Sequence, residues 1–199
     1  MVAIVVPFRG ADAKRRLAPM GEEARAELAL AMLGDVLAAC IAAGEVTVVT
    51  ADEAGAELAE ELGAAVMADP RGGQGAAVAL ALSTLPVGAA LVVNADLPCA
   101  TPRDLHALVR VTPASGIALV EAADGTTNAL GLPAPEAFAP LYGAGSAERF
   151  RAHARSLGLE PVTVASPNLA RDVDTLADLE RVQLTAGPRT QAALAALAR

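Results

Sequence analysis

Short apolar runs alternate along this chain with longer stretches of helical period, and that alternation restricts the fold more than any other feature. Runs of a few aliphatic residues bounded by Gly, Pro, Asn or Asp are too short for buried helices. Their near-continuous hydrophobicity suits strands covered on both faces. The pattern predicts strands over 3–6, 46–50, 65–68, 91–94, 117–120, 129–132 and 162–164. Between them, 22–42 carries Leu28, Met32, Leu33, Val36, Leu37 and Ile41 on one helical stripe, with Gly44 as the expected C-terminal cap. Further helices are expected over 53–62 ended by Gly63, 75–82, 102–111 with proline in its first turn, 146–157 ended by Gly158, and 176–184. Repeated strand–helix units of this kind stack into an α/β, Rossmann-like fold, a mostly parallel central sheet flanked by helices. One domain is expected over 1–184. The alanine-rich stretch 185–199, behind Gly187-Pro188, is expected either as a terminal helix on the body or on a second subunit, or as a frayed end.

Charge and aromatic content remove several function classes. The 199 residues carry a net charge of −8, with no Trp, one Tyr and three Phe, so the chain lacks both the field and the stacking platforms of a nucleic-acid binder. No apolar run approaches the roughly 20 residues that span a bilayer, and Met1 to Pro7 reads as a strand with no basic region before it. Cys40 and Cys99 form neither a disulfide framework nor a metal-ligand spacing. A cytoplasmic protein is expected, with no nucleic-acid or membrane partner, acting as a monomer or homodimer.

An anionic ligand must therefore be drawn in locally. The densest basic patch is Arg9, Lys14, Arg15 and Arg16, directly after the first strand and Pro7. Lys14 is the single lysine among fifteen basic residues, and an ammonium offers a compact point charge where a planar guanidinium would not fit. A basic loop at the end of a first buried strand is where α/β proteins hold phosphates. Asp96, in Asn94-Ala95-Asp96-Leu97-Pro98, follows another apolar strand at the edge where open sheets bind ligands, though a turn residue would also stand there. Asp172 and Asp174, two apart in an extended stretch, point the same way and suit a hard cation such as Mg2+; capping the following helix is the alternative. Gly72-Gly73-Gln74-Gly75 opens a helix and lets a flat base or ribose come close. His106 and His153 sit in helical patterns and read as surface residues, so no nucleophilic triad is evident. Neither a G-x-x-x-x-G-K-[ST] loop nor G-x-G-x-x-G follows the first strand. Metal, lysine and arginine without a nucleophile is the equipment of nucleotidyl transfer.

Taken in order, Val6-Pro7-Phe8-Arg9, Ala13-Lys14-Arg15-Arg16-Leu17, Gly73-Gln74-Gly75-Ala76-Ala77, Ala95-Asp96-Leu97-Pro98, Thr127-Asn128-Ala129-Leu130, Tyr142-Gly143-Ala144-Gly145-Ser146 and Asp172-Val173-Asp174-Thr175 resemble the CofC-type guanylyltransferases of coenzyme F-420 biosynthesis. The resemblance runs from residue 2 to about 182. It implies a nucleotidyltransferase fold of the GT-A kind, Mg2+ as cofactor, and joining of GTP to phosphoenolpyruvate or 2-phospho-L-lactate with release of pyrophosphate. It further implies that Asp96, Asp172 and Asp174 hold the metal and that Lys14, Arg16 and Asp96 are catalytic. Pro7, Arg9, Lys14, Arg16, Gly73, Gln74 and Asp96 would meet GTP; Thr127, Asn128, Gly143 and Ser146 would meet the acid. Nucleotidyltransferases for 3-phosphoglycerate, a sugar phosphate or a molybdenum cofactor precursor are the related alternatives, and a non-catalytic nucleotide-binding module is another. The chain departs from the family at Arg9, often Lys; at Arg15, often Ser or Thr; and at Gly75, commonly Asn.

Overall fold

The computed structural model describes residues 2–10 and 15–197. Seven strands, β1 (Val2–Phe8), β2 (Gly44–Thr50), β3 (Ala65–Ala68), β4 (Ala90–Val93), β5 (Gly116–Glu121), β6 (Thr127–Leu132) and β7 (Glu160–Thr163), form one sheet in the order β3-β2-β1-β4-β6-β5-β7. All pairings are parallel except those of β6, which runs antiparallel to both β4 and β5. The helices are α1 (Glu22–Ile41), α2 (Glu53–Leu62), α3 (Gln74–Ser83), α4 (Pro102–Val111), α5 (Ser146–Ser156), α6 (Leu176–Val182) and α7 (Pro188–Leu197). From β1 the chain moves outward to β2 and β3, then returns to build the other half from β4. The reversal opens a crevice between the carboxyl ends of β1 and β4, the position at which such sheets bind ligands.

Alternation along each strand produces two cores. Ile4, Val6 and Phe8 of β1 and Leu91 and Val93 of β4 face one side, under α1 and α4. Val5, Val92, Ile117, Leu119 and Leu130 face the other, against α3 and α5, where Phe150 is fully buried. Each such aliphatic or aromatic side chain contributes roughly 1.5–3 kcal/mol of transfer free energy. Phe138, Tyr142 and Phe150 pack on one another with centroids 5.4–6.1 Å apart and belong to this second core.

One expectation about caps is corrected, and the capping alternative for Asp174 is set aside. Gly44 is not the cap of α1, which ends at Ala42 in a right-handed conformation; Gly44 is the first residue of β2, where a Cβ would strike the Val2 carbonyl of β1. Asp174 does not cap α6 either. Thr175 does, its hydroxyl accepting from Asp178 N at 3.3 Å while the Asp178 carboxylate accepts from Thr175 N at 2.9 Å.

The C-terminal stretch forms α7, packed against α1. Its anchor is Asp35, a carboxylate only 5% exposed on α1, which accepts from Arg189 N at 3.0 Å and Thr190 N at 2.8 Å. A negative charge there also complements the positive end of α7. Gly187 lies so close to Asp35 that no side chain fits, and its N–H donates to Pro98 O at 2.7 Å. Asp35→Ala leaves two N–H groups without their acceptor and is expected to cost about 2–4 kcal/mol in urea unfolding; a loss under about 0.5 kcal/mol would mean that α7 docks without this carboxylate.

Candidate functional site

The crevice between β1 and β4 is a cleft of about 130 Å³ lined by Pro7, Phe8, Arg9 and Gly10 from the end of β1 and by Asn94, Ala95 and Asp96 from the end of β4. Ala29 and Met32 of α1 and Gln74 of α3 complete it. Pro7, Arg9, Gln74 and Asp96, named from widely separated stretches of sequence, therefore share one cavity. Gln74 is fixed at its mouth by donating to Asn94 Oδ1 at 2.8 Å, and Asn94 in turn donates from Nδ2 to Thr127 O at 3.2 Å. Arg9 is shared with a second, more polar hollow of about 440 Å³ formed by Ala51, Asp52, Asp69, Arg71 and Gly73. Lys14 lies outside the described residues.

The acidic residues assemble through backbone pairing. Val173 N donates to Asp96 O at 3.1 Å, which sets the stretch Asp172-Val173-Asp174 beside the turn after β4. Burial, then the neighbouring charge of Asp96, raise the Asp172 carboxyl above its ordinary value; a bond from Asn128 Nδ2 to Asp172 Oδ1 at 3.2 Å works against them. A half-buried carboxylate raised in this way, with a second one on the adjoining turn, is suited to a divalent ion. Asp174 is turned toward Arg16, with Nη1 and Oδ2 3.8 Å apart. Among the described residues no group of three or more His, Cys, Asp or Glu is placed to hold a metal. Mg2+ needs only one or two protein carboxylates, the remainder being water and substrate phosphate, so the residues present fit that ion.

Thr127 and Asn128 open β6, whose antiparallel direction brings its start to the carboxyl end of β4. Both are 1% exposed. Asn128 spends its amide on Leu169 O at 3.0 Å and on Asp172. Ser146 Oγ and Thr127 Oγ1 are 3.1 Å apart, so the first residue of α5 is tied to the first of β6. Gly143, at φ 111°, stands on the exposed loop that leads into α5. His106 is exposed, whereas His153 is half-buried with Nε2 3.1 Å from Ala137 O; neither lines the cleft.

Sequence reasoning missed Asn94, Asp52, Asp69 and Arg71 as site residues. Only Arg71 has a local oddity, a left-handed backbone at φ 61° supported by its N–H donating to Asp69 Oδ1 at 2.7 Å, and no sequence signal announces it. Gly75 has a packing reason: a Cβ there would lie 2.6 Å from Pro140 Cβ. The amide at this end of α3 is instead supplied one position earlier, by Gln74.

Residues 2–194 match the family described as Guanylyl transferase CofC like. The chain belongs to that family. It is accordingly a nucleotidyltransferase, and its CofC relatives align over nearly their whole length. The phosphoenolpyruvate guanylyltransferase of Sphaerobacter thermophilus is 39% identical, covering 91% of each chain. That of Nocardia farcinica is 37% identical over 96% of this chain and 89% of its own. Among solved structures, a nucleotide-diphospho-sugar transferase from Desulfovibrio desulfuricans superposes with a TM-score of 0.79, covering 99% of this chain and 97% of its own. At 18% identity it shows that the CofC chain has the nucleotide-diphospho-sugar transferase fold. Among the described residues no helix is long and apolar enough to cross a membrane.

Proposed function

We propose that this CofC-family enzyme transfers GMP from GTP to phosphoenolpyruvate and releases pyrophosphate, as in coenzyme F-420 biosynthesis. The observation that carries the reading is the bond from Val173 N to Asp96 O at 3.1 Å, which sets Asp172 beside the turn whose Asp96 lines the cleft at the β1/β4 reversal, within the family's framework. A phosphate oxygen of the acid attacks the α-phosphorus of GTP in line; the α–β bridging bond breaks and its electron pair leaves with pyrophosphate. Mg2+, held by Asp96 and Asp172, would neutralise charge on the phosphates during this exchange.

The chain's own residues orient the reactants. Arg9 and Arg16 face the triphosphate from the β1 side, Arg16 being kept near the reaction by Asp174, and the family resemblance adds Lys14 as a further cation for the phosphates. The polar hollow of Asp52, Asp69, Arg71 and Gly73 offers carboxylate acceptors for the N–H groups that distinguish guanine from adenine, and Gln74 lies between this hollow and the phosphates. Thr127, Gly143 and Ser146 form the acid's side. Because Ser146 can donate to Thr127, the Thr127 hydroxyl proton remains available for a substrate oxygen. Asn128 acts on this reading as the residue that orients Asp172. Pyrophosphate release measured with GTP or ATP against phosphoenolpyruvate, 2-phospho-L-lactate and 3-phosphoglycerate tests the assignment. It predicts highest kcat/KM for GTP with phosphoenolpyruvate, dependent on Mg2+. Equal turnover with ATP, or preference for another acid, would contradict it.

A further inference from the structure

The loop that carries Gly143 is shaped by one side chain. Arg149, exposed in the first turns of α5, reaches back so that Nη2 donates to Leu141 O at 2.8 Å and Tyr142 O at 3.1 Å, Nη1 to Ala144 O at 2.6 Å, and Nε to Leu141 O at 3.2 Å. Only the planar, five-donor fork of a guanidinium can address three carbonyls from one point. Every peptide bond here is trans, and in a planar trans peptide the carbonyl of one residue and the N–H of the next point in opposite directions. With the carbonyls of Leu141, Tyr142 and Ala144 turned onto Arg149, the N–H groups of Tyr142, Gly143 and Gly145 are turned away from it. Gly143 and Gly145, at φ 111° and 68°, supply the backbone conformations this requires. Among the described residues none of these three N–H groups meets a protein acceptor. Successive amides aimed outward from a bend ahead of a helix make an anion-binding concavity.

We propose that Arg149 is a positioning residue for the acid substrate: by holding three carbonyls it aims the amides of Tyr142, Gly143 and Gly145 at the anionic end of the phosphorylated acid. This rests on the reading that the loop ahead of α5 receives that acid. Arg149 itself touches no reacting atom in this account, so its loss acts on the affinity for one of two substrates.

The test is steady-state kinetics of wild type, Arg149→Ala and Arg149→Lys with GTP and phosphoenolpyruvate, alongside thermal melting. Both variants are expected to raise KM for the acid about tenfold, with KM for GTP within twofold and the melting temperature within a few degrees. Lysine is expected to fail because one ammonium cannot hold three carbonyls. Restoration by lysine would overturn the clamp in favour of charge alone. Unchanged KM for the acid in both variants, or equal increases in both KM values, would overturn the proposal while leaving the function intact. A wild-type enzyme that turns over GTP with no saturable response to the acid would overturn the functional reading and this inference with it.

Discussion

Asp96→Asn is expected to lower guanylyl transfer by about 10²–10³-fold, roughly 2.7–4 kcal/mol of transition-state stabilisation, the scale of losing one electrostatic element from a preorganised site. The fold should tolerate the change, because the bond that joins this turn to Val173 uses the backbone carbonyl of Asp96 and not its side chain. An amide is nearly isosteric with a carboxylate but carries no charge for a divalent ion. Burst-free kinetics with GTP and phosphoenolpyruvate, paired with urea unfolding, separate the two effects. Retention of more than about a tenth of the wild-type rate, a loss under ~1.4 kcal/mol, would remove Asp96 from the mechanism.

Asp172→Asn should lose activity on a similar scale while making the metal-free protein more stable at neutral pH. Burial and the charge of Asp96 raise the Asp172 carboxyl above its ordinary 3.8, so the folded state holds this proton more tightly than the unfolded chain does. The sign follows from linkage. Below the ordinary value both states are protonated and the residue costs nothing; as pH rises through the ordinary and then the raised value, the unfolded chain ionises first and stability falls. Asparagine removes that cost and can still accept from Asn128. The variant's excess stability is therefore expected to be full at neutral pH, to fade as pH falls through the raised value, and to be gone below the ordinary 3.8. Millimolar Mg2+ with GTP should stabilise wild type and leave the variant unmoved, since only a state that binds ligand gains from it. Thermal melts across pH check this; a variant less stable than wild type at pH 7 without metal would contradict it.

The strands and most helices were legible because period-2 and period-3.6 burial leave different spacings of Val, Leu and Ala, and because Gly63 and Pro102 mark real helix ends. Gly44 misled because a glycine after a helix usually answers a backbone requirement of the helix, whereas here it answers the closeness of Val2 on the neighbouring strand. The docking of α7 was not legible for a related reason: its anchor, Asp35, lies 154 residues away from Arg189 and looks in sequence like a polar lapse in the stripe of α1. The acidic site was legible as parts, since Asp96 and Asp172 each follow recognisable signals. Asp52, Asp69 and Arg71 were not, because each is an ordinary turn residue until the parallel order of β1, β2 and β3 gathers their loops at one edge.

The account depends most on a divalent ion joining Asp96 and Asp172 to the triphosphate of GTP. A crystal soaked with Mn2+ and a GTP analogue resistant at the α–β bridge would locate that ion by its anomalous signal. The prediction is one peak within bonding distance of both carboxylates and of an α-phosphate oxygen, with the triphosphate along Arg9 and the end of β1. A peak away from these carboxylates, or a nucleotide bound outside the cleft of Pro7, Gln74 and Asn94, would contradict it.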